Sequence, residues 1–256
     1  IIIEMIESFQ IPSIAIIDTV KSAMISEFLK ELKTASIKVI EWLTTYQDNV
    51  DYKAYTHQYS LLKSIIIYES PEEKDYYGVD GFGNIVYNVY AYEQRQQFRQ
   101  HPSYFNVNAE LVTESMAYHT YFNRRLHVSG DGVLFQSPTS KKSIGTLSAL
   151  PTVSDIRKYI NEAAQTGLAR VHKGKIDICK DCEHRLMCVD NREPQERANG
   201  EWYHEQECNY NPYIAAWDME EHFSSLSKCG VQSGKQGFFC DRRKLNTVIQ
   251  NIWGDK

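Results

Sequence analysis

Four cysteines carry the most specific chemistry in this chain. Cys179 and Cys182 are separated by two residues in "ICKDCEHRLMCVDNREP", Cys188 follows after a gap of five, and Cys208 after a further nineteen, in "HEQECNYNPY". A C-x2-C pair brings two thiolates to one ion or one cluster from a single tight turn. Thiolates are soft ligands, so four of them suit Zn²⁺ or an iron–sulfur cluster. Spacing leaves these two open, because the gap of five is longer than in the second pair of a zinc ribbon and the fourth ligand is remote. A zinc knuckle that only ties loops together would use the same residues. Cys229 and Cys240 flank "GVQSGKQGFF"; two thiolates are too few for a second site, and they read as free thiols.

The neighbours of these cysteines have supporting roles. His184, inside the cysteine loop, reads as a solvent-facing or supporting group before it reads as a ligand. Arg185 and Arg192 are suited to counter the negative charge of a thiolate-bound cluster, and His204 and Glu207 stand in a similar position just before Cys208. All six cysteines fall in the last third of 256 residues. Secreted disulfide frameworks dominate much shorter chains, so the pattern points to a metal or cluster site in a reducing compartment, the cytoplasm. The net charge of −5 and a pI near 5.9 argue against a nucleic-acid partner. The apolar runs are too short and interrupted for a membrane span. The opening "IIIEMIESFQIP" lacks the basic start and cleavage site of a signal peptide. It also lacks Met, and reads as processed or as the inside of a longer protein.

The elements that must position the cysteines follow from periodicity. "IPSIAIIDT" (11–19) is a β-branched apolar run and reads as a buried strand. "VKSAMISEFLKELK" (20–33) carries a helical apolar stripe. Strands are expected over 36–44 and 64–70, with a helix over 50–63 between them. This β-α-β-α-β order predicts a parallel sheet with crossover helices. Asp18 and Glu69, at the ends of two of its strands, lie where ligands bind in such folds. A linker over 71–84 and a strand over 84–94 follow. Gly78, Gly81 and Gly83 in the linker do not open a helix and read as turn residues rather than a phosphate loop. An Asn-capped helix is expected over 106–123, a hairpin around "SGDG" over 125–138, and a capped helix over 152–167. The tyrosines of "YNVYAY" and "YHTYF" suit a peptide-binding face but read better as strand and packing residues. The expected domains are 1–105 and 106–256.

The cysteine set with its preceding hairpin resembles the SPASM domain that follows many radical S-adenosylmethionine peptide-modifying enzymes. That family pairs a G-x4-C hairpin with C-x2-C-x5-C-x3-C and a last Cys, holding two auxiliary [4Fe–4S] clusters. Here Ser137 stands at the hairpin Cys position counted from Gly132, and Arg192 stands at the x3-C position. The ligands that the family uses for its first auxiliary cluster are absent together, and those for the second are present together. The resemblance therefore implies one [4Fe–4S] cluster on Cys179, Cys182, Cys188 and Cys208, with zinc as the alternative. It implies an α/β fold: a partial or degenerate βα-barrel-like part, then a small cysteine-rich SPASM-like domain with a hairpin. The C-x3-C-x2-C loop that initiates radical chemistry is not in this sequence, so no 5′-deoxyadenosyl radical is expected from this chain.

"CEHRLMCVDNREP", "ECNYNPY", "KKSIGTL" and the terminal "SSLSKCGVQSGKQGFFCDRRKLNTVIQNIWGDK" are similar to SPASM proteins of grasp-with-spasm systems. That resemblance implies a role in maturing a ribosomally made peptide, with a precursor peptide and an ATP-grasp ligase as partners. The alternatives are a cluster-dependent peptide-modifying enzyme whose catalytic part lies upstream or in a partner, and a zinc-stabilised binding module.

Overall fold

The computed structural model describes residues 2–18, 25–32, 36–78, 83–96, 100, 102, 105, 108–150 and 152–254. The chain divides into two compact units, Ile1–Gln97 and Phe98–Lys256. It is a mixed α/β protein with one parallel sheet and several small antiparallel hairpins.

The first unit runs α1 (Ile2–Ser8), β1 (Ser13–Asp18), α2 (Ile25–Leu32), β2 (Val39–Thr45), α3 (Tyr52–Gln58), β3 (Leu62–Tyr68), β4 (Lys74–Tyr76) and β5 (Asn84–Tyr87). The sheet order is β1-β2-β3-β5-β4; the first four strands are parallel and β4 is antiparallel to β5. Ile25, Leu29 and Leu32 bury one stripe of α2. They join Ile40, Trp42, Leu62, Ile65, Ile67 and Ile85 of the sheet and Tyr52 of α3 in one apolar core. Asp51 caps α3 by accepting from the Ala54 N–H at 3.1 Å.

Three expectations need correction here. The helix expected over 50–63 ends at Gln58, and Leu62 and Lys63 open β3 instead, because Leu62 completes the core beside Ile40, its register partner. The linker expected over 71–84 contains β4. Its Lys74 and Asp75 are polar because β4 is the outermost strand, where charges discourage further pairing. The strand expected over 84–94 stops at Tyr87, and the chain forms a 3₁₀ turn over Tyr92–Gln96. Gly83 has φ +75° and sits where a Cβ would press on Thr56 of α3, so its role is packing. Gly81 lies outside the described residues.

The second unit contains α4 (Ala109–Ser115), a three-stranded sheet of β6 (His127–Val128), β7 (Val133–Phe135) and β8 (Gly145–Thr146), and α5 (Val153–Thr166). Three two-stranded hairpins follow: β9 (Gln195–Glu196) with β10 (Trp202–Tyr203), β11 (Tyr210–Asn211) with β12 (Ala216–Trp217), and β13 (Val231–Gly234) with β14 (Gly237–Cys240). Helix α6 (Arg242–Trp253) closes the unit. The Asn108 cap is present, accepting from Leu111 N at 2.8 Å, but α4 ends at Ser115 and not near 123. The remainder of that stretch packs as turns around fully buried His119 and Phe122. Thr152 and Asp155 cap α5 reciprocally, each accepting from the other's N–H at 3.2 Å. A second apolar cluster joins Ile214, Ala216, Leu226, Cys229, Val231 and Leu245.

Candidate metal centre

Residues 168–190 of the second unit form no long element. They run through short 3₁₀ turns, including Cys179–Asp181 and Glu183–Leu186. A 3₁₀ turn has three residues, so side chains three apart point the same way. Cys179, Cys182, Arg185 and Cys188 follow that period, and all four line one cavity. The opposite wall has the strand period of two: Cys208, Tyr210 and Pro212, at and around β11, line the same cavity. The space measures about 340 Å³, solvent at its mouth included. The structure thus brings together the four cysteines that the sequence singles out.

The backbone entering the first cysteine is strained. Ile178 has φ 66° and ψ −52°, and the Cys179 N–H donates to the Asp177 carbonyl at 2.7 Å. This is the rare γ-turn form, on a β-branched residue that normally avoids positive φ. Buried ion pairing secures the turn. Asp177 accepts from Arg197 Nη2 at 2.6 Å, Lys180 Nζ at 2.9 Å and Ser233 Oγ at 3.2 Å, while Arg197 Nε donates to the Gly234 carbonyl at 2.8 Å. Across the cavity, the Tyr210 hydroxyl donates to Glu183, and the Tyr213 hydroxyl donates to Asp181 at 2.7 Å. These contacts hold the 208–213 segment against the cysteine turns. Thr120 Oγ1 donates to the Cys188 carbonyl at 2.7 Å.

Behind Cys179 lies a buried charge network. Asp190 is fully buried, and it pairs with Lys173, itself 2% exposed, and with Arg192. Arg192 Nη2 lies 2.7 Å from Asp190 Oδ2 and Nε 3.0 Å from Oδ1, while Nη2 also faces Cys179 Sγ at 4.0 Å. His204 Nε2 sits 3.4 Å from Asp190 Oδ2, and its buried Nδ1 has no hydrogen-bond partner among the described residues. Burial alone would raise the Asp190 pKa, but Arg192 and Lys173 hold the carboxyl well below the usual range. Burial likewise disfavours a Cys179 thiolate, yet Lys173, His204 and Arg192 bring this thiol down to about 7. Burial pushes Cys182 up to about 12 and also raises Cys188 and Cys208.

Two donor sets compete for an ion here. Among the described residues, the group of three His, Cys, Asp or Glu ligand atoms within 4.8 Å of one another is that of Cys179, Asp190 and His204. Asp190 already neutralises two buried cations, so a metal ion in that group would face Lys173 and Arg192 directly. The four thiols instead surround a void, and no three of them meet at that distance. Four thiolates on one zinc at about 2.3 Å would stand about 3.8 Å apart. A cubane cluster spreads its ligands further, because each sulfur binds a different iron. Four soft thiol donors around one space are a set that could hold either a zinc ion or an iron–sulfur cluster. Lys173, Arg185 and Arg192 line the cavity as cations, with Asp190 behind them, leaving a net positive charge beside the four thiols.

The other candidates divide. Arg185 lines the cavity, and its Nη1 donates to the Cys182 carbonyl at 3.2 Å. His184 neither reaches the thiols as a ligand nor faces solvent freely. It stacks on Phe105 with ring centroids 4.8 Å apart and packs against Tyr210 and Trp217. Glu207 is exposed. Cys229 is buried in the second apolar cluster, accepting from Asn211 Nδ2 at 3.4 Å, and Cys240 ends β14. None of the six cysteines is in a disulfide. Ser137 is fully buried, with its hydroxyl 3.1 Å from those of both Thr139 and Ser140. In the first unit, Asp18 ends β1 and Glu69 follows β3, with β2 between those strands. The tyrosines pack locally: Tyr68 against Tyr90 and Tyr92, Tyr118 under Arg170, Tyr121 under Arg125.

Lys173, Asp190 and Tyr210 belong to the site without having been singled out in sequence. Arg185 and Tyr210 follow from the periods of three and two. Lys173 is brought in only by tertiary packing. Among the described residues, no helix is long and apolar enough to cross a membrane. Neither a scan of protein-family models nor searches of curated proteins and of solved structures found a match to this chain.

Proposed function

We propose that this chain is a SPASM-type protein of the cytoplasm that holds one [4Fe–4S] cluster on Cys179, Cys182, Cys188 and Cys208 and acts in maturing a ribosomally made peptide. The observation that carries the reading is the ring of four thiols around one void, no three of them within 4.8 Å of one another, beside the buried cations Lys173 and Arg192. Ser137 adds support, since the residue at the hairpin position of the missing cluster is committed to hydrogen bonds in its own turn. The four parallel strands in the order β1-β2-β3-β5 support reading the first unit as a partial βα-barrel.

When bound, the cluster supplies one-electron transfer or structural cross-linking. The chain's own residues do the rest. Cys179, Cys182, Cys188 and Cys208 would hold the cluster between them, one thiol for each iron, so it would not itself bind substrate. Lys173 and Arg192 offset the negative charge, and the 208–213 segment closes one wall. The partners in this reading are a precursor peptide and an ATP-grasp ligase.

The test is to purify the chain without oxygen and titrate it with a candidate precursor peptide and with an ATP-grasp ligase. The reading predicts a brown protein with about four irons and four sulfides per chain that binds both. Cleavage of S-adenosylmethionine by this chain alone would favour an enzyme in its own right. A colourless protein with one zinc would leave a binding module.

A further inference from the structure

The polar groups around the cavity are not evenly distributed. Arg192 and Asp190 gather at the Cys179 corner, with Lys173 and His204 completing the same network. Arg192 also donates from Nη1 to the Gln206 carbonyl at 2.7 Å, two residues before Cys208. One guanidinium thereby spans both ends of the ligand set: its Nη2 faces the Cys179 sulfur at 4.0 Å while Nη1 holds the loop that delivers the fourth thiol. Asp190 fixes its orientation through Nε and Nη2, and the guanidinium's side chain is 8% exposed. Lysine at this position would keep a charge but has no planar fork to hold Asp190 and face the sulfur together.

We propose that Arg192 is a positioning and potential-setting residue for the cluster, raising its reduction potential by placing a fixed, Asp190-oriented positive charge and an N–H donor at the Cys179 sulfur. The proposal rests on the cluster reading above. A reduced cluster carries one more negative charge, so a nearby cation stabilises the reduced form more than the oxidised one. An N–H directed at a ligating sulfur acts in the same direction. The residue that occupies a ligand position in the SPASM pattern thus takes a different task here, tuning the remaining cluster.

The experiment compares full-length parent, Arg192→Gln and Arg192→Lys, each purified without oxygen, by iron and sulfide content and by a potentiometric titration followed by EPR. Arg124→Gln, at an exposed pair with Glu110, serves as a charge-matched control. The expected result is a midpoint potential shifted downward in Arg192→Gln, a smaller downward shift in Arg192→Lys, and none in Arg124→Gln. Where Arg192→Gln fails to retain iron, Arg192→Lys decides alone. Iron-loaded variants titrating at the parent potential, or loss of the cluster from both, would overturn the assignment, the second by making Arg192 a structural residue only. A parent that takes up no iron would instead sink the cluster reading itself.

Discussion

The first unit and the cysteine region of the second reach order by different means. The parallel sheet is stabilised by area: Leu29, Leu32, Ile40, Trp42, Ile65, Ile67 and Ile85 are each almost fully buried against one another. The 168–212 stretch has turns of three or four residues and strands of two. Beside a few buried apolar side chains such as Val171, Ile176 and Tyr203, it buries the charged Lys173, Asp177, Asp190 and Arg197. Buried ion pairs seldom add net stability, because desolvation offsets their attraction, but they fix geometry and are costly to break. The comparison teaches that the sheet is ordered by apolar burial, whereas the cysteine region is ordered by short turns and buried charge pairs, so the two should respond differently to loss of the proposed cluster.

On the proposed cluster reading, removing the metal is expected to have the largest effect. Strong chelation under reducing conditions should raise hydrogen exchange across residues 168–212 while amides of β2 and β3 stay protected. Equal loss in both would break the comparison. Asp190→Ala comes next, since it leaves Lys173 and Arg192 without their counter-charge. A cost of about 3–5 kcal/mol is expected, read by denaturant unfolding, with metal content reduced. Leu62→Ala, in the sheet core, should cost about 2–5 kcal/mol by cavity formation and leave metal content unchanged. Asp241→Ala is the smallest change. It removes the α6 cap, whose carboxylate accepts from Arg243 N at 3.0 Å and Lys244 N at 3.1 Å, and should cost about 1 kcal/mol.

What the sequence conveyed follows the same division. Periodicity is a local property, so the β-α alternation of the first unit was readable, and its errors fell at boundaries such as Leu62, where strand pairing overrode helical pattern. β4 was missed because an outer strand with Lys74 and Asp75 looks like a polar linker. In the second unit the cysteines were readable by type and spacing. The convergence of all four on one cavity needed tertiary structure, as did Lys173 and the aromatic packing of His184, because those contacts join residues far apart in the chain. Arg192 was noticed as a counter-charge beside the cluster, but only the fold revealed Asp190 as the group that orients it.

The most direct test of the cluster is Mössbauer spectroscopy of the chain loaded with ⁵⁷Fe without oxygen, with Cys188→Ser alongside. The account predicts about four irons per chain in a diamagnetic cubane with only thiolate ligation, and a changed or lost signal in Cys188→Ser. A parent that refuses iron and retains one tetrahedral zinc would contradict it.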